Sequence, residues 1–382
     1  MILALLFACR TSLGFQFQTI GSVSNQLAAQ LGFSVIQIGT LIGLFMLPGA
    51  FLALPSGFAG RWASDRALVA AGLMAMGLGS GIAALADGFG GLALGRLACG
   101  VGFVVSTIYF TKMVADWFVG KELATAMGIL VMSWPFGIAM GQIGHEWMAG
   151  HLGYRVPFAV AAVYSVASAL CVWLFYRPHE SHAHPAAPVE SRLPRRELIL
   201  TLIASAAWAF FNAGYIVYLS FAPRVLQGAG YPSLQAAAIV SLASWVMIFS
   251  GAAAGQVADR TRQPDRVLYL CLAAGIAALL LLPHGAWAVA LSLVFGLLGA
   301  APAGVVMALT GQSMSPQRRA FGMGVFQTTF FVLLAPAPAV AGWIHDRAGG
   351  PYPAIVFAAS LFGLTALANA AFRVAQSRGT AR

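Results

Sequence analysis

The chain has 382 residues, 60% of them hydrophobic and only 8% charged, with a mean hydropathy of +0.83. Soluble domains carry roughly 25% charged residues, so a soluble globular protein is excluded; apolar runs of spanning length, in place of ~10-residue alternating segments, exclude a transmembrane β-barrel as well. The net charge of +10 is spread over the turns between apolar runs, which is how membrane orientation is encoded, and no nucleic-acid partner is expected.

Roughly twelve spans can be read in order. The first covers about Met1–Leu27 and holds Arg10. At about 1.5 Å per residue Arg10 lies roughly 13 Å from the start, near the middle of a bilayer core ~30 Å thick. An arginine there costs about 2.5–3.5 kcal/mol on insertion scales, so something compensates it. Either an anionic solute or aqueous path does so, or the guanidinium snorkels to the surface or bonds carbonyls of neighbouring helices. No basic stretch precedes this run, so it does not read as a secretory signal peptide.

The turn LGFS follows, and Ser34 with Gln37 forms a capping-box pattern that opens the second span, which ends near Gly57. After the polar turn Gly57–Arg66, spans follow near Ala67–Ala86, Leu92–Val114 (with Arg96), Leu123–Ile143 (with Pro135) and, beyond the loop GHEWMAGHLGYR, Val156–Phe175. The segment 177–196, RPHESHAHPAAPVESRLPRR, has four prolines, mixed charge and no apolar periodicity, and reads as a solvated linker. Its His179, His182 and His184 read as solvated rather than as a metal site. Six further spans fall near Leu198–Phe221, Leu234–Val257, Val267–Leu282, Ala286–Gly311, Ala320–Trp343 and Pro353–Phe372. The expected organisation is an all-α polytopic membrane protein: an N-terminal six-helix bundle over 1–176, the linker, a C-terminal six-helix bundle over 197–373, and a tail over 374–382.

The two halves repeat. Gly32 and Gly230, each before a span, differ by 198 positions, and so do Gly57 and Gly255, each closing that span. The stretch GRLACGVGFVV from Gly95 resembles GLLGAAPAGVV from Gly296. Basic residues set the orientation: Arg61, Arg66, Lys121, the linker arginines, Arg260, Arg262, Arg266, Arg318, Arg319 and the tail fall on one side, and only Arg155, Arg224 and Arg347 on the other. Both termini and the linker are therefore expected in the cytoplasm, the protein lying in a bacterial inner membrane. Cys9, Cys99, Cys171 and Cys271 have no metal-ligand spacing and read as small core residues.

The six-plus-six layout, the segment GQVADRTR from Gly255 to Arg262, the run Arg96–Gly102 (R-x-x-x-G-x-G) and SPQRRAFGMG before the eleventh span together resemble the major facilitator superfamily over essentially the full chain. TKMVADWF, KELATAMG and SWP resemble most its bacterial cyanate/nitrate-type permease branch. The resemblance implies two pseudo-symmetric bundles, alternating access, and a conformational latch at Gly255, Asp259 and Arg260; its N-terminal counterpart departs from the pattern, with Arg61 where an acid is expected and Asp65 and Arg66 a turn later. It also implies that the first and seventh helices face a central path.

Helical spacing puts Arg10, Gly14, Phe17 and Gly21 on one stripe of the first span. The small residues leave room for a ligand or a close helix. Adding 198 leads to Trp208, Asn212, Tyr215 and Leu219 in the seventh. Arg10, Phe17, Trp208, Asn212 and Tyr215 are therefore candidate substrate contacts, with Arg96, Trp134 and Gln327 beside them; for the aromatics and Arg96 the competing reading is helix packing. A guanidinium with amide, phenol and aromatic walls suits a small anion. All eleven acids lie in loops or at span ends, the nearest to a proton carrier being Glu146 with His145. With no nucleotide loop, nucleophile–base pair or metal cluster, neither enzymatic activity nor a cofactor is expected. The expected function is secondary transport of a small anion by a monomer, with a drug or metabolite efflux antiporter as the rival.

Overall fold

The computed structural model describes residues 2–57, 59–118, 123–177, 192–315 and 318–377. The chain divides into two compact units, Met1–His184 and Pro185–Arg382. The histidine-bearing linker segment 178–191 lies outside the described residues, as do Lys121 and Glu122.

The N-terminal unit consists of α1 (Ile2–Ser22), α2 (Ser24–Leu31), α3 (Val35–Ser56), α4 (Asp65–Leu85), α5 (Phe89–Trp117), α6 (Leu123–Leu152) and α7 (Arg155–Phe175). The C-terminal unit consists of α8 (Arg195–Gly228), α9 (Ser233–Thr261), α10 (Pro264–Leu281), α11 (Ala288–Val294), α12 (Ala303–Met307), α13 (Leu309–Ser313), α14 (Arg319–Leu334), α15 (Ala337–Ala348) and α16 (Tyr352–Ser377). Among the described residues, eleven helical stretches are long and apolar enough to cross a membrane. The helix outside that set is α1, whose Thr11, Ser12, Gln16, Gln18 and Thr19 dilute its hydropathy, yet it is buried nearly all round by α3, α5, α6 and α7. A polar helix can cross when protein rather than lipid surrounds it, so with α1 the crossings number twelve.

Local chemistry sets the boundaries. Ser34 closes a complete capping box with Gln37 at the start of α3. Gly32 and Gly230, the repeat-related pair, both have positive φ, 67° and 95°, which a side chain would oppose. Two spans of the C-terminal unit are interrupted. The tenth is broken: α11 runs into a π-turn at Phe295–Gly299, a bend at 300–302 ends on Pro302, and α12 and α13 complete the crossing. The eleventh breaks before Pro336, where α14 gives way to α15. Prolines forfeit an i−4 hydrogen bond and crowd the preceding turn, and hydropathy does not register this.

Each unit is clamped at one end by an ion cluster. Asp65, first residue of α4, pairs with Lys112 of α5, which also reaches Asp116 at 3.2 Å. In the other unit Asp265 near the start of α10 takes Arg373 of α16 through Nε and Nη2 at 3.0 Å, while Arg373 Nη1 donates to Gln312 at 2.7 Å. Asp65 and Asp265, and likewise Lys112 and Gln312, stand 200 positions apart. Arg373 matches Trp173 at the same offset, and the Arg66 guanidinium lies 4.6 Å over the Trp173 ring. The two clusters are thus the same device with the charges redistributed.

The segment read as a loop latch belongs to the end of α9: Gly255 is half-buried, and Asp259 and Arg260 are exposed with no ion pair among the described residues. Arg61 is exposed in a short 3-10 turn at Ala59–Arg61. In this arrangement it is Asp265, not Asp259, that pairs across helices at this end of the unit. Asp265→Asn is expected to lower the melting temperature of the purified protein by a few degrees, about 1 kcal/mol for a partly exposed bidentate pair. Asp259→Asn in the same assay is expected to leave it unchanged.

Candidate functional site

Arg10 lies in the middle of α1 and is 9% exposed. Its Nη1 donates to the Leu130 carbonyl at 2.7 Å and to Ser133 Oγ at 2.9 Å, both on α6. The turn of α6 that receives it lies next to Pro135, which supplies no amide to the Val131 carbonyl. One of the two competing expectations, that Arg10 bonds carbonyls of a neighbouring helix, therefore holds for one nitrogen. The other edge differs: Nη2 makes no hydrogen bond among the described residues, and Nε is buried without a partner. The Nε–Nη2 edge is one a carboxylate takes side-on with two parallel hydrogen bonds.

Across α1, α3, α5 and α6 four rings form a closed circuit. Phe17 meets Phe45 and Trp134 at centroid separations of 5.5 and 5.4 Å, and Phe103 meets the same two at 5.0 and 5.3 Å. Three are buried, and Trp134, next to Ser133, is half-buried. Phe17 and Trp134 are thus brought together as expected, with Trp134 the more accessible member.

Arg96 corrects the expectation of a second charge on the solute path. It is 1% exposed. Nε donates to the Leu41 carbonyl at 3.2 Å, Nη2 to the Phe17 carbonyl at 3.2 Å, and Nη1 to the Gln16 carbonyl and Thr19 Oγ1 at 3.1 and 3.2 Å. Its carbon centre lies 4.5 Å over the Phe45 ring. All three nitrogens are engaged, so the side chain ties α1 and α3 to α5. Of the two expectations for the small residues of the Arg10 stripe, Gly14 meets the close helix: it lies against the backbone of Gly137 and Ile138 on α6.

In the C-terminal unit Trp208, Asn212 and Gln327 are all half-buried. Asn212 Nδ2 donates to the Trp208 carbonyl one turn back at 2.8 Å, and Trp208 packs with Phe211 and Phe330. Gln327 makes no hydrogen bond among the described residues. Tyr215 is the exception. It is buried with its hydroxyl 2.7 Å from Ser244 Oγ on α9, so its burial and its partner are those of a packing residue.

Sequence reasoning ended the fifth span near Ile143, whereas α6 continues to Leu152 and carries His145 and Glu146 inside it, both buried. The signal was present: Ile138, Gln142, His145 and Ala149 recur at helical spacing through the supposed loop, and all four are buried. Thr19 and Ser133 were missed because small hydroxyl residues in a span are satisfied by their own helix as readily as by a partner.

Two units of helical crossings, a buried basic centre on the first helix and a sequence repeat relating the halves define a membrane carrier-type protein. The Major Facilitator Superfamily model matches residues 6–335, and the chain belongs to that family. It is 25% identical over 235 residues to the "Hexuronate transporter" of Bacillus subtilis, covering 59% of this chain and 56% of that one. It is 26% identical over 160 residues to the "Probable L-galactonate transporter" of Escherichia coli, covering 42% of this chain and 35% of that one. The chain thus spans about half or less of the length of these curated relatives. Among solved structures, a bacterial homologue of the human lysosomal transporter Spinster aligns with a TM-score of 0.75 at 17% identity, covering 98% of this chain and 96% of that one, which shows the fold.

Proposed function

We propose that this chain is a secondary active transporter of the inner membrane, working by alternating access as a monomer with both termini inside, and that its solute is a small organic anion of the sugar-acid class. The observation that carries the reading is the unpartnered Nε–Nη2 edge of Arg10, with Nε buried, in the middle of a crossing helix whose contact on α6, Ser133, precedes the half-buried Trp134. A buried charged donor without an acceptor is costly, and a carboxylate supplies two acceptors at that edge. An indole face suits the C–H face of a sugar acid. The printed names of two relatives, hexuronate and L-galactonate transporters, support the same class. The cyanate/nitrate-type reading rests on short runs, of which KELATAMG begins outside the described residues, and nothing in the Arg10 surroundings favours a triatomic anion over a ringed one.

Uptake of radiolabelled glucuronate, galacturonate, nitrate and cyanate into proteoliposomes tests it. A hexuronate is expected to be taken up, and Arg10→Gln to reduce that uptake at least tenfold, about 1.4 kcal/mol. Arg10→Lys, with one compact ammonium, is expected to retain part of it. Uptake undiminished in Arg10→Gln would discard the site, and uptake of nitrate or cyanate alone would replace the solute class.

A further inference from the structure

Four histidines lie within described segments whose ring contacts are resolved, and three have an acceptor or counter-ion: His151 Nδ1 contacts the Trp147 carbonyl, His284 Nδ1 the Leu281 carbonyl, and His345 Nδ1 Asp346. His145 is the exception. It is 0% exposed, and both Nδ1 and Nε2 are without a hydrogen-bond partner. Any neutral imidazole carries one N–H and one lone pair, so this ring leaves both a donor and an acceptor unmet, which is costly in a buried place. It packs edge-on to Phe15 of α1 with centroids 4.2 Å apart, and Gly141 leaves space for its Cε1. A residue that only filled this place would be apolar.

We propose that His145 is a proton-binding site of the N-terminal unit, and that its protonation loosens α1 from α6. A proton from water adds to the ring lone pair and gives an imidazolium with two N–H donors and no acceptor in the present packing. Charged and titratable groups approach it from several packed elements. From α5 comes Arg96, which grips the carbonyls of Gln16 and Phe17, the two α1 residues that follow Phe15. From α7 comes Tyr164, whose ring also meets Phe15 and whose hydroxyl donates to the Ala8 carbonyl at 2.7 Å. From α1 comes the amide of Gln18, and on α6 itself stand Gln142 and Glu146, while the Gln16 amide is turned to Ser80 and Cys99. Gln18 donates to Gln142, so that pair is already satisfied. An imidazolium thus adds a second cation on the segment Arg96 already holds, without solvent to screen the two. The packing that relieves it is separation at Phe15 and Gly141, just beyond the turn where Arg10 is tethered to α6.

The inference does not depend on the solute class, and its test needs no solute. Amide hydrogen exchange of the full-length protein in detergent is measured at pH 5 and pH 7.5 and corrected for intrinsic rates. Segments 13–22 and 137–149 are expected to exchange roughly tenfold faster at the lower pH, as a local opening, while segments of the C-terminal unit keep their rates. His145→Gln is expected to abolish the difference, and His145→Asn serves if that variant does not purify. Equal corrected rates at both pH values in the wild-type protein overturn the proposal, whatever the variants do. A pH response that persists in His145→Gln or His145→Asn also overturns it.

Discussion

Arg96→Gln is expected to unfold the N-terminal unit far more readily than it alters solute recognition. The guanidinium reaches three carbonyls and one hydroxyl on two helices. Each carbonyl lies within a helix and retains the amide four residues on, so its loss falls at the low end of the range for an orphaned buried acceptor, ~1 kcal/mol each and on the order of 3 kcal/mol together. For a unit of this size that corresponds to a melting temperature lower by roughly 6–12 °C. Arg96→Lys is expected to fall between, because one ammonium cannot reach carbonyls on both α1 and α3 at once. Thermal unfolding in detergent, followed by tryptophan fluorescence, measures this. An unchanged melting temperature with solute uptake lost would return Arg96 to the solute path.

Gly14→Val is expected to abolish transport and to lower the yield of folded protein. An added Cβ at Gly14 meets only α6 backbone, lying against the Trp134 carbonyl, 3.1 Å from the Ile138 nitrogen and 3.3 Å from the Gly137 Cα. None of these atoms can rotate away, so the helices must separate, at a cost of about 3 kcal/mol or more for an overpacked contact. Separation also removes the Arg10 hydrogen bonds to Leu130 and Ser133. Gly137→Val is expected to act alike, since its Cβ would lie 2.8 Å from the Phe15 nitrogen. Gly128→Ala and Gly144→Ala, on the same helix with open space at the Cβ, are the controls. Within a helix they are expected to be neutral or stabilising by up to ~1 kcal/mol. If Gly14→Val transported normally, the stripe would have room for a ligand after all.

These cases show where reading the letters succeeds. Gly32, Gly230 and the Ser34–Gln37 box are local features, and the backbone conforms to them. Gly14 is different: a glycine one turn from an arginine is compatible with a ligand cavity or with a helix contact, and only the presence of α6 decides. Arg96 has the same ambiguity, resolved by carbonyls that come from residues 55 to 80 positions away. Tyr215, the 198-residue mate of Phe17, is compatible with lining or with packing, and the Ser244 hydroxyl beside its own is what favours packing. Asp259 and Arg260 stand at the spacing of the family's latch, while the acid seen to pair in this arrangement is Asp265, whose partner lies 108 positions on.

The sequence by itself determined that this chain crosses a membrane repeatedly, in two related halves of six, with a guanidinium in the first crossing. Those properties follow from transfer free energy and local backbone preference, which act on each segment alone. Only the tertiary structure decided which arginine is saturated and which keeps a free edge, which glycine is a contact, and that a histidine lies unpartnered between α1 and α6. Hydrogen-bond satisfaction depends on which helices become neighbours, and apolar composition makes almost any pair of these helices an acceptable one.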